Sequence, residues 1–153
     1  METPRGTPVM QIKRPTLADL RAHARAERPH ECCGLLIGDD RSIVCAVRAR
    51  NRRKSPTRYL VDPRDHFRAI RAARAEGLAV VGAYHSHPSG PAVPSKRDLA
   101  EAHDRSYVYV IVSLAGRGDT RGFRFNGSAF EPVELRSSNG AARASGRCRA
   151  RQP

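Results

Sequence analysis

Leu78-Ala-Val-Val-Gly-Ala-Tyr84-His85-Ser86-His87-Pro88-Ser-Gly-Pro-Ala-Val-Pro94-Ser95-Lys-Arg-Asp98 is the stretch on which the reading of the fold turns. Its first seven residues form an apolar run of strand length, so they read as a buried strand. The Gly/Pro-rich loop Pro88 to Pro94 then turns the chain, and Ser95 to His103 reads as a short helix. Downstream, Tyr107-Val-Tyr-Val-Ile-Val-Ser-Leu114 is the strongest strand signal in the sequence, rich in β-branched and aromatic residues. Two shorter strands are expected around 121–125 and 130–135.

Upstream of that stretch, Asp62-Pro63 opens a helix, because Asp caps and Pro is tolerated at the first helical position. Phe67, Ile70 and Ala73 follow at three-residue spacing until Gly77. Before it, Cys33-Gly-Leu-Leu-Ile-Gly38 and Ser42-Ile-Val-Cys-Ala-Val47 flank the polar turn Asp39-Asp40-Arg41, a hairpin pattern. Arg48 to Arg58, with six basic residues and Pro56, reads as a solvated loop, and Tyr59 to Val61 as a short strand. Thr16 is the expected cap of a first helix carrying Leu17, Leu20 and Ala24 and ending before Pro29. Strands outnumber helices and helices interrupt them, so the fold class is α/β (α+β): a single domain with one mixed, mainly antiparallel sheet flanked by helices. Residues 1–14 are expected to be a flexible N-terminus, 15–135 the domain and 136–153 a disordered basic tail.

A chain of 153 residues is one domain's worth. With 39% hydrophobic residues it has material for a core. Lys and Arg number 28 against 15 acids, leaving +13, and only Lys13, Lys54 and Lys96 are lysines, so a GC-rich coding bias accounts for part of the charge. The tail from Arg136 holds five arginines and no acid, while residues 1–135 hold 23 basic and 15 acidic side chains. No stretch approaches the ~20 apolar residues of a membrane span, and 1–14 lacks the apolar core of a secretory signal. A soluble, cytoplasmic protein is therefore expected. The four cysteines form no C-x-x-C pair, which argues against a disulfide framework or a thiolate zinc site, and the thiols are expected reduced.

The chemistry lies in His85, His87 and Asp98. Histidines at i and i+2 on an extended backbone point the same way, and Asp98 in the first turn of the next helix faces back toward the strand end. Two imidazole nitrogens and one carboxylate oxygen make a three-ligand zinc site with a fourth position open, the mark of a catalytic rather than a structural site. Glu31, a lone acid at the start of an apolar strand, is the candidate base. The competing reading of Ser95-Lys-Arg-Asp98 is a capping box, in which the serine caps the helix and the acid reaches back to the serine amide. His30, His66 and His103 read as surface or core histidines.

Together these residues resemble the JAMM, or MPN-plus, metalloprotease family, whose signature is an upstream glutamate, H-S/T-H-P, a spacer and S-x-x-D. Here these stand as Glu31, His85-Ser86-His87-Pro88 and Ser95-Lys96-Arg97-Asp98. Glu31-Cys-Cys-Gly-Leu-Leu-Ile-Gly38 most resembles the short stand-alone bacterial members, such as the Mec-type peptidases of cysteine biosynthesis. The resemblance implies a JAB/MPN-like domain binding one Zn2+ through His85, His87 and Asp98, with Glu31 as general acid/base and Ser95 donating to the oxyanion. It also implies hydrolysis of the (iso)peptide bond after the C-terminal Gly-Gly of a ubiquitin-like sulfur-carrier protein, with cysteine as one candidate leaving group. Two other readings stand beside it. A RadC-like, DNA-associated protein shares the H-x-H-P-S-G stretch, but the 30 residues before Glu31 leave no room for that family's N-terminal module, so nucleic acid is disfavoured. A non-catalytic scaffold would have lost ligands that are all present. The basic loop 48–58 and Tyr59 suit either a solvated face or an acidic partner, and the sequence is compatible with a homo-oligomer.

Overall fold

Gly34 and Tyr84 lie directly opposite one another on neighbouring antiparallel strands, and around this pair the sheet is assembled. The computed structural model describes residues 6–102 and 104–139. In chain order its elements are β1 (Val9–Lys13), α1 (Arg14–Glu27), β2 (Cys33–Gly38), β3 (Ser42–Ala49), α2 (Pro63–Ala75), β4 (Ala79–His87), α3 (Lys96–Glu101), β5 (Val108–Ser113), β6 (Asp119–Phe125) and β7 (Phe130–Ser138). The strands close into a barrel in the order β1-β3-β2-β4-β5-β6-β7. Pairing is mixed: β1 runs parallel to both β3 and β7, and β4 parallel to β5, while the other four pairs are antiparallel. The JAB/MPN-like arrangement of a mixed, mainly antiparallel sheet with helices against it is thus the one expected.

Every residue of β2 and of β5 is buried, which is why each reads as an unbroken apolar run rather than an alternating one. Alternate side chains fill separate cores on the two faces of the sheet. Leu36, Tyr84, Val108 and Val110 pack with Leu20 and Ala24 of α1. Leu35, Ile37, Ala83 and Tyr109 pack with Ala69 and Ala73 of α2. Because Tyr84 faces α1, period-two alternation sends Ser86 the same way and turns His85 and His87 toward the α2 side. Asp62 caps α2 as expected, its carboxylate accepting from the Arg64 amide at 2.9 Å. The hairpin β2–β3 and its Asp39 turn are also found.

Four expectations are corrected. The N-terminus is not flexible throughout: Met10 and Ile12 are buried and alternate with outward-facing residues, making β1 the strand that closes the barrel. Thr16 is not the cap of α1. Lys13 holds that position without a side-chain bond, Pro15 occupies the first turn, and the Thr16 hydroxyl instead donates to the Val44 carbonyl at 2.7 Å. Tyr59 to Val61 forms no strand, only an isolated bridge between Asn51 and Val61. β7 runs to Ser138, so Arg136 to Ser138, expected in the tail, pair with β1. The rest of that tail, 140–153, and His103 fall outside the described residues. Cys32 and Cys33 are free and buried.

The Tyr84 ring lies across β2 where Gly34 has no side chain. A Cβ built at Gly34 would collide with the ring. Gly34→Ala is expected to lower stability by about 1–3 kcal/mol in urea unfolding, the usual cost of overpacking a filled core. The Tyr84 hydroxyl meets His23 Nδ1 at 2.8 Å, and burial, helped by Arg48, lowers the His23 pKa to about 4. The unfolded chain therefore binds the proton more readily than the folded one. Stability is fully present above about pH 6.5 and is lost as pH falls toward 4, by at most about 3 kcal/mol from this group. Unfolding measured across that range in the native chain and in His23→Gln should show the slope in the first and a smaller one in the second.

Candidate metal centre

At the C-terminal end of β4 three side chains converge. His85 Nε2 and His87 Nε2 lie 3.1 Å apart. Asp98 reaches them from α3, Oδ1 at 3.2 Å from His85 Nε2 and Oδ2 at 3.1 Å from His87 Nε2. The strand supplies the two imidazoles, and the loop 88–94 returns the chain so that the first turn of α3 faces them.

Both readings of Ser95-Lys-Arg-Asp98 hold at once. Ser95 Oγ accepts from the Asp98 amide at 3.0 Å, and Asp98 Oδ2 accepts from the Ser95 amide at 2.9 Å, a complete capping box. The box fixes the carboxylate that faces the histidines. Burial alone would raise the Asp98 carboxyl, but the two imidazoles and the Ser95 amide outweigh it and hold it well below the usual carboxylate range.

Each imidazole is oriented from behind. His87 Nδ1–H donates to the Pro91 carbonyl at 2.8 Å, so that in the neutral ring the lone pair lies on Nε2. His85 stacks on Tyr59 with ring centroids 4.4 Å apart and planes within 18°. Burial pushes the His85 imidazole toward its neutral form against the pull of Asp98. Burial would lower the His87 imidazole too, but Asp98 and the Pro91 carbonyl outweigh it and raise its pKa. Two imidazole nitrogens and a carboxylate are thus aimed at one point, a donor set that a cation satisfies. The spacings fit one. Ligand bonds of about 2.0–2.1 Å in a tetrahedron put ligand atoms about 3.3 Å apart, close to the contacts found.

Glu31 stands beside the pair, its carboxylate within 4.8 Å of the two imidazole donor atoms. It is only 2% exposed. Burial pushes its pKa up to about 8, with His87 opposing and Asp98 adding to the rise. Its backbone is tied on both sides, the amide to the Ser55 carbonyl at 2.8 Å and the carbonyl to Asn51 Nδ2 at 3.0 Å. Ser86 fixes the next residue: its Oγ accepts from the Cys32 amide at 2.7 Å, and its amide donates to the Cys32 carbonyl at 3.1 Å. All five residues singled out in the sequence are thus brought together.

Comparison with known proteins identifies the family. The family of prokaryotic homologs of the JAB domain matches residues 13–126. This chain belongs to that family. Over 109 residues the domain is 41% identical to a probable TtuB-protein conjugate cleaving protease of Thermus thermophilus, covering 71% of this chain and 72% of that one. It is 32% identical over 133 residues to the CysO-cysteine peptidase of Mycobacterium tuberculosis, covering 83% and 91%. A solution structure of a protein from Desulfitobacterium hafniense superposes with a TM-score of 0.79 at 31% identity, covering 85% of this JAB domain's chain and 93% of its own.

Four supporting residues were not found from sequence: Ser86, Asn51 and Pro91, together with Tyr59 in its role against His85. Ser86 alone carried a signal, since a residue between two same-face histidines must point to the opposite face. Ser86→Ala leaves the buried Cys32 amide without its acceptor, and a loss of about 1–3 kcal/mol in thermal or urea unfolding is expected.

Proposed function

We propose that this JAB domain is a zinc-dependent metallopeptidase that binds one zinc per chain through His85, His87 and Asp98. It acts in the cytoplasm on the (iso)peptide bond after the C-terminal Gly-Gly of a ubiquitin-like sulfur-carrier protein. The observation that carries this reading is the convergence of the His85, His87 and Asp98 donor atoms at 3.1–3.2 Å with the buried Glu31 carboxylate beside them. The relatives described as cleaving TtuB conjugates and CysO-cysteine support the substrate class, and the second supports cysteine as one group released. Among the described residues no helix is long and apolar enough to cross a membrane.

The chemistry a bound zinc supplies is Lewis acidity, which polarises a carbonyl and brings the pKa of a coordinated water down to about 7. The chain's own groups do the rest. Glu31, whose ionised form a cation held by the imidazoles would favour, has its backbone pinned by Ser55 and Asn51 and takes the proton of the attacking water, then returns it to the leaving nitrogen. Ser95 is exposed, and because its Oγ accepts from the Asp98 amide, its own O–H proton is available to donate to the developing oxyanion. Asp98 and His87 are locked before substrate arrives, so little reorganisation accompanies the reaction.

Cleavage of a linear fusion to a Gly-Gly-terminated carrier tests the roles. Glu31→Gln is expected to abolish turnover while keeping the metal. Ser95→Ala should lower kcat about 10²-fold, equivalent to ~3 kcal/mol, with weak residual activity. Near-full hydrolysis by Glu31→Gln would overturn the assignment of the base.

A further inference from the structure

On the opposite face of the sheet from the histidines, α1 and the β5–β6 turn wall a cleft of about 420 Å³. Arg21, Arg25 and Arg28 line one side at helical spacing, Arg117 and Thr120 the other, with Leu114 between them. Arg21 Nε donates to Thr120 Oγ1 at 3.4 Å, so the two walls meet. Among the described residues none of these four arginines makes an ion pair. Asp119, the one acid in the lining, is held by Arg121 at 2.7 Å. Four exposed like charges gathered around one acid that is already paired make a field that attracts an anionic ligand.

Although the cleft lies on the other face, its lining adjoins the strand end and the loop that carry the metal centre. The Leu114 amide donates to the His87 carbonyl at 3.2 Å, and the Ser113 hydroxyl to the Gly90 carbonyl at 2.6 Å. Arg28 precedes Glu31 by three residues. In the barrel the β5–β6 turn lies on one side of β4, and the segment 50–61 that follows β3 lies on the other. That other side is walled: Tyr59 covers His85, and Arg97 ties α3 to the segment through the Thr57 carbonyl at 3.2 Å. A polypeptide crossing the site thus meets a walled side at the segment 50–61 and an open, positively charged side at the cleft.

We propose that the arginine cleft binds acidic side chains of the polypeptide on the leaving side of the scissile bond. This rests on the peptidase reading above and names the chemistry of its second partner. Arginine forks pair two-pronged with carboxylates, and partly exposed pairs of this kind weaken with salt.

The test uses two linear fusions in which a ubiquitin-like carrier ending in Gly-Gly is followed by eight residues, either Glu/Asp-rich or with each acid replaced by its amide. The full chain should show a KM about tenfold lower for the acidic fusion at low salt, with kcat unchanged. Arg25→Gln/Arg117→Gln should erase that preference and leave cleavage of the neutral fusion unaltered. Equal KM values for the two fusions in the native chain would overturn the proposal. So would a preference that survives the double substitution, or a loss that falls equally on both fusions. Titration of both fusions into Glu31→Gln keeps the two readings separable. If neither fusion is cut, the peptidase reading fails, while an arginine-dependent difference in Kd still supports the cleft and equal Kd values still overturn it. A short DNA duplex that binds through the same arginines more tightly than the acidic fusion would also count against the proposal.

Discussion

In an extended strand alternate side chains must share a face, and at the end of β4 this places His85 and His87 with their Nε2 atoms 3.1 Å apart. Much of the surrounding structure holds that pair steady. The parallel partner β5 and the antiparallel partner β2 bury the strand on both edges. The helix cap that fixes Ser95 also fixes the third donor, Asp98, so a common local motif and a ligand set share the same atoms. A cap and a ligand therefore need not be alternatives: one carboxylate has two oxygens, and Asp98 uses both.

The placement of Glu31 depends on the same strand. Ser86, between the histidines, must face away from them, and there it grips Cys32 through both its hydroxyl and its amide. The acid and the ligand pair are consequently positioned by consecutive residues of one strand acting on opposite faces of the sheet. Gly34, by admitting the Tyr84 ring across β2, lets the strands lie in the register that this grip needs.

Where a signal was local, the sequence could be read. The hairpin, the Asp62 cap, the two helices after it and the strongly apolar β4 and β5 all follow from patterns within a few residues. The five candidate site residues stood at fixed spacings near strand and helix ends. Long-range partners were harder to see. β1 is five residues long and gains its meaning only by closing the barrel between β3 and β7, so its Met10/Ile12 alternation looked like part of a loose terminus. Thr16 has the chemistry of a cap but finds the Val44 carbonyl on a neighbouring strand instead. Asn51 and Pro91 act through a side-chain amide and a backbone carbonyl in loops, where residue type alone discloses no partner. The net charge of +13 pointed nowhere by itself; the fold gathers four of its arginines into one cleft.

The proposed activity requires that the convergent histidines and Asp98 hold a metal. Metal analysis of the purified full chain, offered zinc at neutral pH and then dialysed, tests this most directly. One zinc per chain, lost in His87→Ala and retained in Glu31→Gln, is the result predicted. Well under one zinc per chain in the native protein, or full occupancy in His87→Ala, would contradict it.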